Sequence, residues 1–530
     1  MRKIINMSNR LKSRTIIFIV LGFAVISAYG QENLFKNHGF EFVSKGIPQN
    51  CISPDYWSGI ISQDKEIFRS GKASAKLLAK EKSGKHWGRF MQPLTVKIIP
   101  GAMYRFSMWV KGEGEFVLGV LQYAPANPGV SNYKYFWQEK PVVLTNEWRE
   151  ISYEFTIDNP DINRITPVAE VRGENAVVFM DDQSFGRFTK DGVELNTSTG
   201  HFMSYPGGEY ELVFKLAEQK QSAEKRDIGM MIISPGDWKD SVEVKIDDNG
   251  VGRHVGVFPP DAQPGSWRFV GFVKDTGAVA EVLCELVDQS TYDEMDATAK
   301  KIRVKTPMHI LYIGDSLTDY LRGNNYVDKV NFWLSKYNEK VSFRNAGVGG
   351  DLITRVLSRL NGIDGGPSAY RQAMYKGLFE PKPDLIFILL GHNDTLLRIK
   401  DGKEILAVSP EVQEDTYRKT LTLLKEKTGA EIVLVSATSS VYEICKQSND
   451  KRVASGGTYF LFGKPEVMEN FNRVLKKLAD ELNIDYIDVY QPMKDYPNKP
   501  SLFSPADGVH LSEKGNRIIA IELLKYLADK

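Results

Sequence analysis

Residues 308–318 read Met308-His309-Ile310-Leu311-Tyr312-Ile313-Gly314-Asp315-Ser316-Leu317-Thr318. The run Met308 to Ile313 is short, mostly apolar and closed by a glycine, the composition of a strand buried on both faces. Further apolar runs follow at Asp384 to Leu390 and Glu431 to Ala437, with shorter ones at Val341 to Ala346 and Ile484 to Val489. Segments of helical period lie between and after them, near Tyr326 to Lys336, Val412 to Lys427, Pro465 to Glu481 and Ser512 to Leu527. Buried strands alternating with amphipathic helices predict a parallel sheet covered on both faces. In such folds ligands bind beyond the carboxyl ends of the strands, so the chemistry is to be sought just after each apolar run.

Upstream of Pro307 the pattern differs. From Gln31 to about Lys190, short alternating segments such as Ala102 to Val110, Glu150 to Ile157 and Ala176 to Met180 are separated by Gly, Pro and Asn turns, which predicts an antiparallel β-sandwich. From about Asp191 to Lys305, Glu209 to Leu216, Ile228 to Ile233, Ser241 to Ile246 and Trp267 to Val273 predict a second small sandwich, read as a spacer or a further binding module. A charged helix over Asp288 to Lys301 and the Thr306-Pro307 step close it. No repeat of fixed period is present. The resulting division is 1–30 leader, 31–190 first β-sandwich, 191–305 second β-sandwich, 306–530 α/β domain.

The leader reading rests on Arg2, Lys3, Arg10, Lys12 and Arg14, without an acid among them, ahead of the apolar run Thr15 to Ala28. Ala28-Tyr29-Gly30 then places small residues three and one before a cut ahead of Gln31. This layout is that of a secretory signal peptide, and a retained anchor would need about 20 apolar residues. The expected location is secreted or periplasmic, with no membrane insertion after cleavage. Over 530 residues, 68 Lys and Arg balance 67 Asp and Glu to a net charge of +1, which argues against nucleic acid as partner. Hydrophobic residues at 42% and charged residues at 25% are ordinary for folded soluble chains. Cys51, Cys284 and Cys445 are scattered, which excludes a disulfide-rich scaffold and leaves no thiolate zinc spacing.

Four segments after the C-terminal apolar runs carry chemistry-bearing residues. Gly314-Asp315-Ser316-Leu317-Thr318 puts a serine on a strand-to-helix turn, with a helix N-terminus near it to favour negative charge. Asn345-Ala346-Gly347-Val348-Gly349-Gly350-Asp351 is a Gly-rich loop able to present backbone N–H groups. Gly391-His392-Asn393-Asp394 follows the third run, and Asp507-Gly508-Val509-His510 precedes the last helix. A carboxylate three residues before an imidazole can fold back on it and fix its tautomer.

In this order and spacing the four segments resemble the SGNH (GDSL-type) hydrolases, a family of esterases and lipases, over the whole of 307–530. The resemblance implies a flavodoxin-like α/β domain and ester hydrolysis without metal or organic cofactor. It assigns Ser316 as nucleophile, His510 as general base and Asp507 as its orienter, with an oxyanion hole from the Ser316 N–H, the Gly350 N–H and the Asn393 side-chain amide. Gly350 is preferred because it directly precedes Asp351, with Gly349 the alternative. His392 is read as a structural or substrate-facing neighbour, and Asp315 as tying down the turn.

Three N-terminal stretches, 33–41, 68–74 and 177–185, resemble the jelly-roll carbohydrate-binding modules of secreted polysaccharide-degrading enzymes. Trp57, Trp87, Trp109, Trp137 and Trp148 are candidates for stacking on sugar rings, or for core. Asp181 and Asp182 are either calcium ligands or a solvated turn. A binding module ahead of an esterase domain raises local substrate concentration, which favours an acetylated polysaccharide or oligosaccharide as substrate. The segments Leu396 to Glu414, Thr438 to Lys464 and Leu360 to Glu380 are expected to be substrate-shaping loops; the first two are polar or charged and contain no long apolar lid. The alternatives are a lipase-like or aryl-ester hydrolase, indicated by preference for longer acyl chains, and a non-catalytic glycan-binding protein.

Overall fold

The computed structural model describes residues 35, 38–44, 47–48, 59–92, 98–124, 133–162, 164–218, 227–236, 239–319, 323–362 and 375–530. The leader with its cut site, Cys51 and Trp57 lie outside the described residues, as does 363–374 within the expected loop Leu360 to Glu380.

The N-terminal region is β-rich, as its alternation requires. Two long strands, β1 (Met103–Tyr123) and β2 (Arg164–Phe188), run antiparallel along each other through a nine-stranded sheet. Register shifts between Arg172 and Val177 and between Asp181 and Ser184 interrupt the pairing; such bulges bend a strand, so one strand serves a curved surface. Its core holds Phe40, Phe90, Phe106, Phe116 and Phe185, all fully buried.

Residues 193–286 form a three-stranded sheet (Val193–Thr197, Glu209–Glu218, Val251–Val257) and a five-stranded sheet. One apolar cluster takes side chains from both, Leu212 and Phe214 from the first and Met230, Phe269 and Val282 from the second. Within the five-stranded sheet His201–Ser204 pairs in parallel with Val279–Leu286. Helix α1 (Gln289–Ala299) follows, begun by Asp288, whose carboxylate accepts the Thr291 N–H.

The C-terminal sheet is wholly parallel. Its strands are β3 (Met308–Gly314), β4 (Val341–Asn345), β5 (Leu385–Leu389), β6 (Glu431–Val435) and β7 (Asp485–Ile487), in the order β4-β3-β5-β6-β7. Strand alternation sorts the side chains to two faces. Ile310, Tyr312, Phe387 and Val433 meet helices α2 (Tyr326–Tyr337) and, at the far end of the chain, α7 (Glu513–Ala528). Leu311, Ile313, Ile388 and Leu434 meet α3 (Ile353–Leu360), α4 (Pro410–Thr428) and α6 (Pro465–Leu482).

The reading of Thr438 to Lys464 as an unbroken loop needs correction: α5 (Tyr442–Ala454) occupies half of it. Only Cys445 and Asn449 of this helix are buried, so it lacks the apolar stripe by which a helix shows itself in sequence. Within Leu396 to Glu414 a hairpin of Leu397–Lys400 and Lys403–Leu406 turns at Asp401-Gly402. Among the described residues no helix is long and apolar enough to cross a membrane.

Candidate active site

Ser316 stands in the turn that leaves β3, at the carboxyl edge of the sheet. The turn is built by the fully buried Asp315, whose carboxylate accepts the Leu317 N–H at 3.0 Å and whose carbonyl accepts the Thr318 N–H at 3.1 Å. The sequence-assigned role of Asp315 is therefore what the geometry displays.

The loop before α7 brings Asp507 and His510 to the serine across 194 residues of chain. His510 Nε2 lies 3.0 Å from Ser316 Oγ, and His510 Nδ1 lies 3.0 Å from Asp507 Oδ2. The other oxygen of Asp507 accepts the Val509 N–H at 2.9 Å and the His510 N–H at 2.8 Å. Burial pushes the Asp507 carboxyl up, but hydrogen bonds from the His510 ring and from these two N–H groups outweigh it and bring it down to about 2. Asp507 is thus ionised at neutral pH and accepts a hydrogen bond from Nδ1–H, which leaves Nε2 as an acceptor facing the serine hydroxyl. A serine hydroxyl within hydrogen-bond reach of an oriented imidazole is the arrangement that lets the oxygen attack an acyl carbon.

The three candidate oxyanion donors surround the same turn. The Asn393 amide donates to Asp315 Oδ2 at 3.4 Å, a long bond that holds it beside the turn. The choice between the two glycines now has a physical basis. Gly349 N–H is already committed to Asp319 Oδ2 at 2.9 Å. Gly350 N–H has no acceptor among the described residues, and its φ of +80° is a conformation that suits glycine. Ser316 N–H likewise has no protein acceptor among the described residues.

Asp319 and Asn325 lie outside the four segments, and the motifs give Asn345, which opens one of them, no role of its own. The Asn345 and Asn325 amides both donate to Thr318 O, at 2.7 and 3.0 Å, and Asn345 Oδ1 accepts the Gly347 N–H at 2.9 Å. Together with the Asp319–Gly349 bond they fasten the nucleophile turn to the Gly-rich loop. A short polar side chain at each end of a turn was the available signal, since such residues bond nearby backbone.

His392 is buried with Nε2 on Thr438 Oγ1 at 2.8 Å. Burial, with the nearby His510, lowers it to about 3, so it stays neutral. Asp394 moves the other way: burial raises its carboxyl to about 7 against the Ile353 N–H, with the Asp315 and Asp351 carboxylates adding to the rise.

In the N-terminal region Trp87, Tyr135 and Trp137 gather around Arg89, whose guanidinium carbon is 4.6, 4.9 and 5.3 Å from their ring centres. Tyr135 and Trp137 stack with centres 5.6 Å apart and planes 5° off parallel. Trp137 packs against Gly119, where a Cβ would come within 2.5 Å of the indole. Trp109 lies instead beneath Arg69, at 3.8 Å, and Trp148 is half-buried near Lys111. Asp181 is fully buried and accepts the N–H groups of Arg69, Ser70 and Asp182, while Asp182 pairs with Arg69 at 2.5 Å. These carboxylates pin the 69–70 turn through protein donors, and among the described residues no group of three metal-ligating side chains occurs.

Residues 312–518 match the GDSL-like lipase/acylhydrolase family, and residues 32–176 match a carbohydrate-binding domain family. No curated protein matches the chain. Similar solved structures include the lipase/acylhydrolase from Enterococcus faecalis, 19% identical, covering 42% of this chain and 96% of that one with a TM-score of 0.32. A GDSL-like lipase from Parabacteroides merdae is 21% identical, covering 43% and 99%, with a TM-score of 0.31. A xylan-binding domain from Paenibacillus barcinonensis is 14% identical, covering 30% and 97%, with a TM-score of 0.24.

Proposed function

We propose, for a chain that carries a GDSL-like lipase/acylhydrolase domain and a carbohydrate-binding domain, that it is a secreted serine esterase removing O-acetyl groups from a polysaccharide. The observation that carries the catalytic part is the Ser316–His510–Asp507 chain of contacts, 3.0 Å at each link. Ser316 Oγ attacks the acetyl carbon as its proton passes to His510 Nε2. The carbonyl oxygen, now negative, receives the Ser316 and Gly350 N–H groups and the Asn393 amide. Collapse breaks the bond to the sugar oxygen, which leaves with the proton from His510. Water then repeats the attack on acetyl-Ser316 under the same base, releasing acetate.

The carbohydrate part is favoured by the aromatic cluster of Trp87, Tyr135 and Trp137, whose ring faces suit the C–H faces of sugars. In this reading residues 1–30 direct export, 31–190 and 191–305 are two sandwich units, and 306–530 is the catalytic unit. Acetate release from acetylated xylan, mannan and pectin, measured beside the Ser316→Ala variant, tests it. Release that vanishes in the variant supports a serine carbohydrate esterase. Cleavage only of longer acyl or aryl esters would replace the glycan with another ester, and no hydrolysis of any ester would leave a binding protein.

A further inference from the structure

Two exposed arginines, in segments that follow Asn393 and that pack on the base-carrying loop, stand together without an ion pair among the described residues. Arg398 belongs to the hairpin that follows Asn393, and Arg452 lies in the last turn of α5; both are exposed. Each guanidinium carbon is 5.4 Å from the centre of the same ring, that of Phe460. Phe460 is itself fixed, its N–H donating to Asn449 Oδ1 at 2.9 Å, and the adjacent Leu461 exchanges backbone hydrogen bonds with Leu397. Three separate stretches of chain are thus joined into one surface.

Chain connectivity limits how far this surface can lie from the catalytic residues. Arg398 is five residues beyond Asn393, a reach of at most about 17 Å. The start of α5 is tied to the base-carrying loop, Val441 N–H donating to Gly508 O at 2.9 Å, and Arg452 lies eleven residues further, about 16 Å along the helix.

Two like charges held beside one ring repel, and other exposed arginines of this chain take carboxylates, as Arg69 does with Asp182, Arg105 with Glu154 and Arg418 with Glu481. Neither Arg398 nor Arg452 has an ion pair among the described residues. The nearby acids are otherwise engaged: Glu404 accepts the Tyr459 hydroxyl at 2.5 Å and faces Lys464, Glu466 also faces Lys464, and Asp450 accepts the Asn449 amide. Asp401 sits in the hairpin turn. Contact with the Phe460 ring brings both guanidinium groups to one surface, and the planar fork of donors each presents matches a carboxylate or a sulfate.

We propose that Arg398 and Arg452, with Phe460 between them, form a subsite for an anionic sugar unit, a uronate or a sulfate ester, of the glycan whose acetyl group reaches Ser316. This rests on the reading of the protein as a polysaccharide esterase.

The test reads the cleft directly, as inhibition of aryl acetate hydrolysis by unacetylated oligosaccharides: oligouronate, a sulfated oligosaccharide, and a neutral one of equal length. An anionic oligosaccharide should inhibit at least about tenfold more strongly than the neutral one, with the preference shrinking as salt is raised. In the Arg398→Ala/Arg452→Ala variant the ratio of the two inhibition constants should fall towards one, and Arg398→Lys/Arg452→Lys should keep part of it. Whether uronate or sulfate inhibits more strongly identifies the source of the charge. Equal inhibition by charged and neutral oligosaccharides, or an unchanged ratio in the alanine variant, overturns the subsite. Failure of the wider reading is separate, since it shows as no acetate release from any glycan in the panel.

Discussion

Behind Ser316, Asp394 is a carboxylic acid whose burial makes it hold its proton. Its carboxyl is raised from 3.8 to about 7, first by burial and then by the Asp315 and Asp351 carboxylates. The folded chain therefore binds a proton that the unfolded chain releases between about pH 4 and pH 7. Stability from this group falls as pH rises through that window and is level above it. Asp394→Asn keeps an oxygen for the Ile353 N–H and removes the titration. The melting temperature of the variant, relative to the parent protein, should rise between pH 5 and pH 8; a constant difference would refute the assignment. Asn393→Ala removes a different kind of group, a preorganised donor, and should lower kcat by about 10²–10³ with KM little changed. Ser316, Asp507 and His510 were legible because short motifs carry them and their chemistry requires them to meet. The preference for Gly350 over Gly349 came only through the resemblance; its physical reason was not legible, because it turns on which N–H Asp319 occupies across 30 residues of chain.

The same Asp319 bond governs the Gly-rich loop as an element. The loop is fastened at one end by Asp319 and at the other by the buried ion pair of Asp351 with Arg359, which anchors it to α3. Asp319→Ala releases Gly349 N–H and lets the adjacent Gly350 N–H wander from where the negative oxygen forms. A loss of about tenfold in kcat is expected, equivalent to one hydrogen bond of about 1.4 kcal/mol, with KM nearly unchanged. Asp319→Asn should recover part of it, because an amide oxygen can still accept that N–H. An effect on KM alone would show that the aspartate shapes binding instead. The regular elements around this loop were legible for a simple reason: buried strands such as Leu385–Leu389 are continuous apolar runs, and α6 buries Met468, Phe471, Leu475 and Leu478 on one stripe. Helix α5 and the Leu397–Leu406 hairpin were not, since both are largely exposed and their positions come from contacts with other loops, such as Leu397 with Leu461.

At the scale of the whole molecule, the region read as a spacer is docked on the helices that flank the catalytic residues. Glu285, fully buried on Val279–Leu286, pairs with the equally buried Lys329 of α2 at 2.5 Å and with Arg517 of α7. Helix α2 follows the Ser316 turn, and α7 begins three residues after His510. Trp333 of α2 also donates its indole N–H to Met203 Sδ at 3.2 Å, and Met203 and Val287 share one apolar cluster with Trp333 and Leu523. Local alternation revealed the strand that carries Glu285, but its partners stand 44 and 232 residues away, beyond what any local period encodes. Removing the carboxylate leaves Lys329 charged, buried and unpaired, so Glu285→Ala should lower the unfolding free energy by about 3–5 kcal/mol. Replacing both members with apolar side chains, Glu285→Leu with Lys329→Met, removes the stranded charge and should restore most of that loss, while Arg517, partly exposed, can turn to water. Denaturant titrations of the two variants decide the point. If the single variant is as stable as the parent protein, the ion cluster does not hold the β-region to the catalytic helices. If it is destabilised and the double variant recovers, the cost lies in the uncompensated charge, and the contact between the β-region and those helices depends on pairing that charge.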